Sequence, residues 1–174
     1  GDGSGLTNLP TSNGWRLTGN AGTDTTTNFI GTTDNMPLDF KVNNLRALRL
    51  TPTTYSSNMI GGYSGNFIAN SVQGATIAGG GESGSENSIT ANYSFIGAGR
   101  ANSAGGYGSF IGGGSNNYTS GVYSSSGGGN NNNVTGDRST VPGGGDNTAS
   151  GSDCFAAGRY AVAQHNGTFV WASG

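Results

Sequence analysis

A fifteen-residue pattern is repeated five times without a gap between residues 87 and 161. Positions 1 to 15 of the repeat are counted from its first residue, which is asparagine in every copy: Asn87, Asn102, Asn117, Asn132 and Asn147. Position 8 is serine in four copies and Cys154 in the fifth, and glycines cluster after position 10. A short fixed period is typical of a solenoid in which each repeat forms one coil.

The composition is unusual for a globular domain but does not indicate disorder. Of 174 residues, 35 are glycine, 32% are hydrophobic and only 9% are charged. Disordered chains of low hydrophobicity usually carry a high net charge, whereas this chain has a formal net charge of −2. Because chemical order is kept in every copy, we expect an ordered repeat domain.

The repeat predicts strands and no helix. No stretch shows a period of 3.6 residues, and the glycine density disfavours helix at about 1 kcal/mol per glycine. Each copy contains one firm strand, as in residues 93–97, and a weaker one around Ala104 or Val134. Degenerate copies of the strand and its glycines occur at 59–62 and 76–80, with longer loops expected between them. We therefore expect eight coils, the last of them one residue short and following residue 161.

A conventional hairpin precedes the coils. Leu38, Phe40 and Val42 alternate with polar residues, which is the period of a strand with one buried face. The pair 43–44 is Asn-Asn, which tolerates positive φ and suits a tight turn. The return strand is predicted over residues 45–50.

The sequence pattern changes after the hairpin. Pro52 ends the return strand because proline cannot donate to a strand ladder. A leading loop and one short strand containing Trp15 and Leu17 are expected before the hairpin. The predicted division is an N-terminal β-hairpin module over residues 1–53 and a glycine-rich repeat domain over residues 54–174.

The firm strand has large apolar residues on both faces. Neighbouring side chains on a strand point in opposite directions, so Phe95 and Ile96 face opposite ways, as do Phe110 and Ile111. One face can fill the coil interior, but a coil this thin cannot hide the other. Identical copies of the chain are the economical cover, and a threefold ring closes symmetrically. The predicted core and trimer contacts are Phe95, Ile96, Phe110, Ile111, Val141 and Phe155.

Three columns of the repeat carry further expectations. The asparagines at position 1 are expected to form a hydrogen-bonded ladder along the stack. Cys154 occupies the serine column, so we interpret it as a small buried side chain rather than a nucleophile. In the third copy, Ser125 and Ser126 replace both large residues. That coil is expected to be locally hydrated or weakly packed.

The repeat S-F-I-G-G-G, followed by N-x-[AS]-x-G, resembles the head repeats of trimeric autotransporter adhesins, the YadA-like β-roll. The closing segments 152–159 and 167–171 look like the end of such a roll, and the resemblance covers residues 55–172. The repeat is longer and richer in glycine than the usual adhesin repeat. The preceding segment, residues 15–50, is similar to a module of bacterial surface proteins and of phage and injection-system tail fibres.

The resemblance implies a fold, an assembly and a location. The fold class is all-β, with a short β module followed by a left-handed parallel β-roll or solenoid of about 15-residue repeats. The implied assembly is a homotrimer, and the implied location is extracellular, on a bacterial cell surface or in a tail fibre. The implied activity is binding rather than catalysis.

Several other functions have little support in the sequence. His165 has no nearby cysteine or carboxylate pair, and the acids are scattered singly, so no catalytic residue, metal site or cofactor is predicted. Seven basic residues form no patch for nucleic acid, and no apolar run predicts membrane contact. An ice-binding face would need a threonine column, which the repeats lack. A polysaccharide hydrolase would need two acids across a groove.

Surface recognition remains. Tyrosines recur at the edges of the repeat, and tyrosine is favoured at binding surfaces. The candidate ligand-binding residues are Tyr93, Tyr107, Tyr118, Tyr123 and Arg100. Such residues suit a host glycan or protein; the alternative interpretation is that the same tyrosines simply pack between coils or subunits. The first hypothesis is an attachment domain, and the alternative is a rigid fibre shaft without its own ligand site.

Overall fold

The computed structural model describes residues 19–174. The chain divides into two compact units, residues 1–34 and 35–174. The strand predicted around Trp15 and Leu17 lies outside the described residues.

The described part of the first unit contains one ordered turn. The carbonyl of Asp24 accepts the N–H of Asn28 at 2.7 Å, and its carboxylate accepts the N–H of Thr26 at 2.8 Å. These bonds from the Thr26 backbone and hydroxyl lower the pKa of Asp24. An aspartate that binds the backbone two residues on is typical of such turns.

The second unit is all-β, and residues 19–174 contain no helix. In chain order, the strands are β1 (Leu38–Val42), β2 (Leu45–Thr51), β3 (Asn58–Gly61), β4 (Phe67–Ile68), β5 (Thr76–Ile77), β6 (Ser88–Ile89), β7 (Phe95–Ile96), β8 (Ser103–Ala104), β9 (Phe110–Ile111), β10 (Tyr118–Thr119), β11 (Ser125–Ser126), β12 (Asn133–Val134), β13 (Thr140–Val141), β14 (Gly144–Gly145), β15 (Thr148–Ala149), β16 (Phe155–Arg159), β17 (Val162–Ala163) and β18 (Phe169–Ser173).

The predicted hairpin is confirmed. Strands β1 and β2 pair antiparallel, with Leu38 opposite Leu50. Asn43 and Asn44 have φ values of 49° and 60°, the left-handed conformation that a two-residue hairpin turn requires. Strand β2 then pairs antiparallel with β3 of the first coil. Strand pairing thus continues across the sequence boundary predicted at residues 53/54.

The coils form a parallel β-solenoid. Strands β3, β5, β7, β9, β11, β13, β16 and β18 stack in the long sheet, which has eleven strands including the hairpin and β14. Strands β4, β6, β8, β10, β12, β15 and β17 form the short sheet of seven strands. From β7 to β13, partners in the long sheet are separated by fifteen residues, as in the pairing of Phe95 with Phe110. The predicted eight-coil solenoid is confirmed.

The longer loops expected in the first coils are also confirmed. Met59 pairs with Thr76, and Thr76 pairs with Phe95, at spacings of 17 and 19 residues. The extra residues of the second coil include a bridge between Glu82 and Ser85. The strands stay in register because the insertions lie between them.

The interior of the solenoid is filled from two columns. Position 10 faces inward from the long sheet, and position 3 faces inward from the short sheet. The aliphatic interior side chains of the regular coils are Ile89, Ile96, Ala104, Ile111, Val134, Val141, Ala149 and Ala156, each 0% exposed. Ile96, Ile111 and Val141 are therefore core residues, as predicted.

The asparagine ladder is fully buried. The Oδ1 of Asn102 accepts both the backbone N–H and the Nδ2–H of Asn117, at 3.1 and 3.2 Å. The Nδ2 of Asn117 also donates to the carbonyls of Gly113 and Gly129 at 2.9 and 3.1 Å. The same pattern recurs at Asn132 and Asn147. Each rung thus links two coils and adds a donor to the turn carbonyls on either side of it.

Glycine is required at position 13. Gly114, for example, has φ 84°, and a Cβ at this site would overlap the carbonyl oxygen of Gly129 in the next coil. Only a residue without Cβ allows both this conformation and this approach. Consecutive coils can therefore stack at the normal strand spacing.

The coil of the fifth regular repeat, which begins at Asn147, is one residue shorter than the sequence pattern predicts. Thr148 pairs with Val162 and Phe155 with Phe169, each at a spacing of fourteen residues. The N–H of Ala161 donates to Asn147 Oδ1 at 2.9 Å, so Ala161 is position 1 of the last coil, not position 15 of the fifth. The missing residue falls within the glycine cluster, so β16 continues as five residues.

The coil of the third regular repeat, residues 117–131, interrupts the apolar core, and it is called the third coil below. One apolar cluster runs from Ile60 to Ile111, and a second begins at Val134. Between them, Ser126 is 0% exposed and faces inward, whereas Ser125 is half-buried on the outer face. The two serines thus occupy opposite faces, and the inward one makes the core polar at this coil.

Candidate functional site

Three of the predicted tyrosines lie together at one corner of the coils. Tyr93, Tyr107 and Tyr123 occupy positions 7, 6 and 7, in the turn between the short-sheet and long-sheet strands. The ring of Tyr107 meets those of Tyr93 and Tyr123 edge-on, with centroid separations of 5.4 and 5.6 Å. Each of these rings is 42–60% exposed. This tyrosine cluster is a continuous aromatic surface across three coils.

The backbone explains how the cluster forms. Tyr93 and Tyr123 have positive φ values of 58° and 56°. The Tyr123 ring lies over Gly108, where a Cβ would contact the ring at 2.8 Å, and Tyr93 lies over Gly74 in the same way, at 2.6 Å. Each ring therefore packs on the turn of the preceding coil and against Tyr107, and remains about half exposed. The cluster serves coil packing and remains accessible.

The other two candidate ligand residues lie elsewhere. Tyr118 is at position 2 on the outer face of the short sheet and is 44% exposed. Arg100 belongs to a third ladder at position 14, where it bridges to Ser115. Its guanidinium pairs with Glu82 of the irregular second coil. The structure therefore brings together three of the five predicted ligand residues.

Phenylalanines line the outer face of the long sheet. Phe95 and Phe110 stack at 5.4 Å with an interplanar angle of 5°, and Phe155 and Phe169 stack at 4.9 Å with an angle of 4°. Phe110 and Phe169 are 42% and 69% exposed. Trp171 extends this face in the last coil and is 70% exposed. Ser125 and Thr140 separate the two stacks.

Glycines border this phenylalanine face. Gly97 and Gly112 follow the strands at position 11, beside the rings of Phe95 and Phe110. A Cβ at either glycine would lie 3.5 Å from the neighbouring ring. An exposed apolar surface of this kind is typical of a face that contacts another molecule.

Charged pairs connect adjacent coils on the exterior. The guanidinium of Arg138 donates to both carboxylate oxygens of Asp153 at 2.7 and 2.9 Å, one coil apart. This pair holds the pKa of Asp153 below its ordinary value and raises that of Arg138. Arg159 lies over the ring of Tyr160 at 4.8 Å. Exposed pairs of this type contribute little to stability.

A pocket of about 550 Å³ lies between the hairpin and the first coil. Its lining includes Ile60 of the core, together with Arg46 and Arg49. Arg46 Nη2 donates to the carbonyls of Ser64 and Asn66 at 2.6 and 2.9 Å. Burial, and then the charge of Arg49, lower the pKa of Arg46. The pocket was not predicted from the sequence, since its lining comes from the hairpin, β3, β4 and the segment 69–73, which lie outside the regular repeats.

Cys154, the one cysteine of the chain, is buried and takes part in the hydrogen bonding of the coil. Cys154 is 3% exposed, and its Sγ donates to the carbonyl of His165 at 3.0 Å. This bond replaces the serine-to-carbonyl bond that Ser139 makes with Gly151. The predicted buried role of Cys154 is confirmed. Within residues 19–174, no three His, Cys, Asp or Glu side chains are grouped as metal ligands would be.

Two interior residues were not identified from the sequence. Thr119 occupies position 3, where the other regular coils carry Ile, Ala or Val, and Ser124 occupies the serine column. Both are buried together with Ser126. The signal was available in position 3, since threonine is the only polar residue in that column of the regular coils.

The described part of the chain has no helix long and apolar enough to span a membrane. The chain matches no protein-family model, no curated protein and no solved structure.

Proposed function

We propose that this chain is a non-enzymatic, trimeric attachment domain of a surface fibre, an adhesin head that binds a host or environmental surface. The observation that carries the proposal is a rigid β-solenoid with two separate exposed aromatic surfaces. The phenylalanine face supports assembly, and the tyrosine cluster supports ligand contact. Its location would be extracellular, on a bacterial cell or in a tail fibre.

The phenylalanine face supports the trimer because its rings have no cover within the described chain. Phe110 and Phe169 remain 42% and 69% exposed, although Phe110 lies beside the fully buried Ile111. Burying exposed apolar area yields about 25 cal/mol per Å². Closed rings of identical subunits bury the same patch on every copy.

The assembly experiment changes this face alone. Wild-type protein is expected to have three times the chain mass of 17.3 kDa in sedimentation equilibrium. Phe110→Ser introduces the side chain that Ser125 carries at the same repeat position of the next coil. This change is expected to shift the measured mass towards that of a single chain. Tyr118→Ser on the outer face of the short sheet is the matched control. A wild-type monomer at micromolar concentration would refute the trimer.

The tyrosine cluster supports binding because aromatic rings contact sugar rings and protein side chains with little loss of conformational freedom. The binding experiment screens wild-type protein on a glycan array and on extracellular-matrix proteins. Tyr93→Asn and Tyr123→Asn keep a side chain that tolerates positive φ, whereas Tyr107→Ser removes the central ring. Loss of binding by a folded variant, with binding retained in Tyr118→Ser, supports the site.

The alternative is a rigid shaft that holds another domain at a distance. It is favoured by the packing of Tyr93 over Gly74 and of Tyr123 over Gly108, which gives the rings a structural role. Under this alternative, Tyr107→Ser lowers the thermal midpoint and leaves the attachment of the whole fibre unchanged. Under the proposed function, the same change reduces attachment.

A further inference from the structure

Three buried hydroxyl groups in the third coil make no hydrogen bond within the chain. They belong to Thr119, Ser124 and Ser126, which are 0%, 1% and 0% exposed. In residues 19–174, no other buried side-chain nitrogen or oxygen lacks a partner. All three lie within eight residues of one another in one coil, and we call them the hydroxyl cluster.

The corresponding serines of other coils are satisfied. Ser94 donates to the carbonyl of Gly106 at 2.8 Å, and Ser139 donates to that of Gly151 at 2.7 Å. The serine column therefore has a carbonyl within reach when the hydroxyl turns towards it. In the third coil the hydroxyl of Ser124 is not paired in this way. Ser109 donates to Ser94 Oγ at 3.4 Å instead, so the unpaired hydroxyl of this column is that of Ser124, in the coil whose two other interior residues are also polar.

Two hydroxyls of the cluster enter the interior from opposite sheets. Thr119 faces inward from strand β10 of the short sheet, and Ser126 faces inward from strand β11 of the long sheet. The Ser126 side chain is smaller than the isoleucine or valine that fills position 10 in the neighbouring coils, as at Ile111 and Val141. Ala104, the partner of Thr119 in the preceding coil, is also small. Polar groups and local space therefore occur together.

The chemistry of the cluster selects the occupant. A buried hydroxyl without a partner is unfavourable, and each hydroxyl offers one donor and two acceptor lone pairs. A matching ligand must be small, neutral and able both to donate and to accept. The buried polar residues within 19–174 are Asn, Ser and Thr only, so no side-chain charge would compensate a buried ion. Buried waters typically make about three hydrogen bonds to such groups.

We propose that the interior of the third coil binds an ordered water molecule, held by Thr119 and Ser126 across the coil and by Ser124 beside them. The water completes the hydrogen bonding of a polar layer between the two apolar clusters. It exchanges with bulk solvent only when the coil opens, because both sheets and the neighbouring coils enclose it.

The decisive measurement is magnetic relaxation dispersion of oxygen-17 water, which counts water molecules of long residence. Wild-type protein is expected to show more such water than the Thr119→Val/Ser126→Ala double variant. Thr140→Val, which removes a hydroxyl from the outer face, is the control and should match wild type. Equal dispersion in wild-type and double-variant protein would overturn the proposal.

Thermal unfolding gives a second test, because a hydrated and an unpaired hydroxyl predict opposite changes in the thermal midpoint of Thr119→Val. If water satisfies the cluster, Thr119→Val removes a hydrogen-bonded group and lowers the thermal midpoint. If the hydroxyl is simply unpaired, the isosteric valine raises the midpoint, which contradicts the proposal. Should the double variant fail to fold, the electron density of wild-type crystals at high resolution decides, because solvent density among the three hydroxyls is then required.

Discussion

Replacing one rung of the asparagine ladder tests the main source of order in the solenoid. In Asn117→Leu, a side chain of similar size keeps the buried volume and removes the amide. The change deletes donations to Asn102 Oδ1 and to the carbonyls of Gly113 and Gly129. It also removes the acceptor for the N–H and Nδ2 of Asn132.

The cost follows from which partners lose their bond. Asn132 Nδ2 keeps the carbonyls of Gly128 and Gly144, and the Gly129 carbonyl keeps the Ser115 N–H. The Asn132 N–H is buried and loses its acceptor, at about 1–3 kcal/mol. The Gly113 carbonyl is only half-buried, so water recovers part of its bond. We expect a loss of about 2–4 kcal/mol in the free energy of unfolding.

The assay is urea unfolding followed by circular dichroism, at one protomer concentration because assembly shifts apparent stability. Asn133→Leu is the control, since this neighbour is exposed on the outer face of β12. It should change the free energy of unfolding by less than about 0.5 kcal/mol. If Asn117→Leu matches this control, the ladder contributes no net stability and the reasoning is wrong.

Two further predictions concern the glycines and the hairpin. Gly114→Ala is expected to cost more than Gly84→Ala by about 1–3 kcal/mol in chemical unfolding, because both have positive φ but only the first would meet a carbonyl, that of Gly129. Equal losses would show that the positive φ, and not contact with the Gly129 carbonyl, determines the cost of the alanine. The hydrogen bond from Arg49 lowers the pKa of Asp39 in the folded protein. The ion pair therefore stabilises the fold fully when the pH is above the pKa of Asp39 in the unfolded chain, and this stabilisation is lost as the pH falls through the lower pKa of the folded state. Asp39→Asn should therefore reduce stability at pH 7 by under about 1 kcal/mol. The difference should shrink as the pH falls below the ordinary value of 3.8 and vanish below the lowered folded pKa; a difference that is the same at pH 7 and in strong acid would contradict the ion pair.

The sequence alone determined the coils because the chemistry of each position repeats. Period and alternation placed Ile96 and Ile111 inside, predicted the ladder at Asn117, and located the two-asparagine turn of the hairpin. Local rules suffice in these cases, since a strand exposes alternate faces and a left-handed turn selects few residue types. Cys154 was interpretable for the same reason, from its column alone.

Only the tertiary structure decided how separate positions meet. It joined Tyr93, Tyr107 and Tyr123 at one corner and left Tyr118 on the short sheet, because positions 6 and 7 share a turn that position 2 does not. It moved Ala161 into the last coil, since hydrogen bonding to the asparagine ladder, rather than counting, fixes the register. The folding of one coil also placed hydroxyls from two strands, on opposite sheets, in one buried layer.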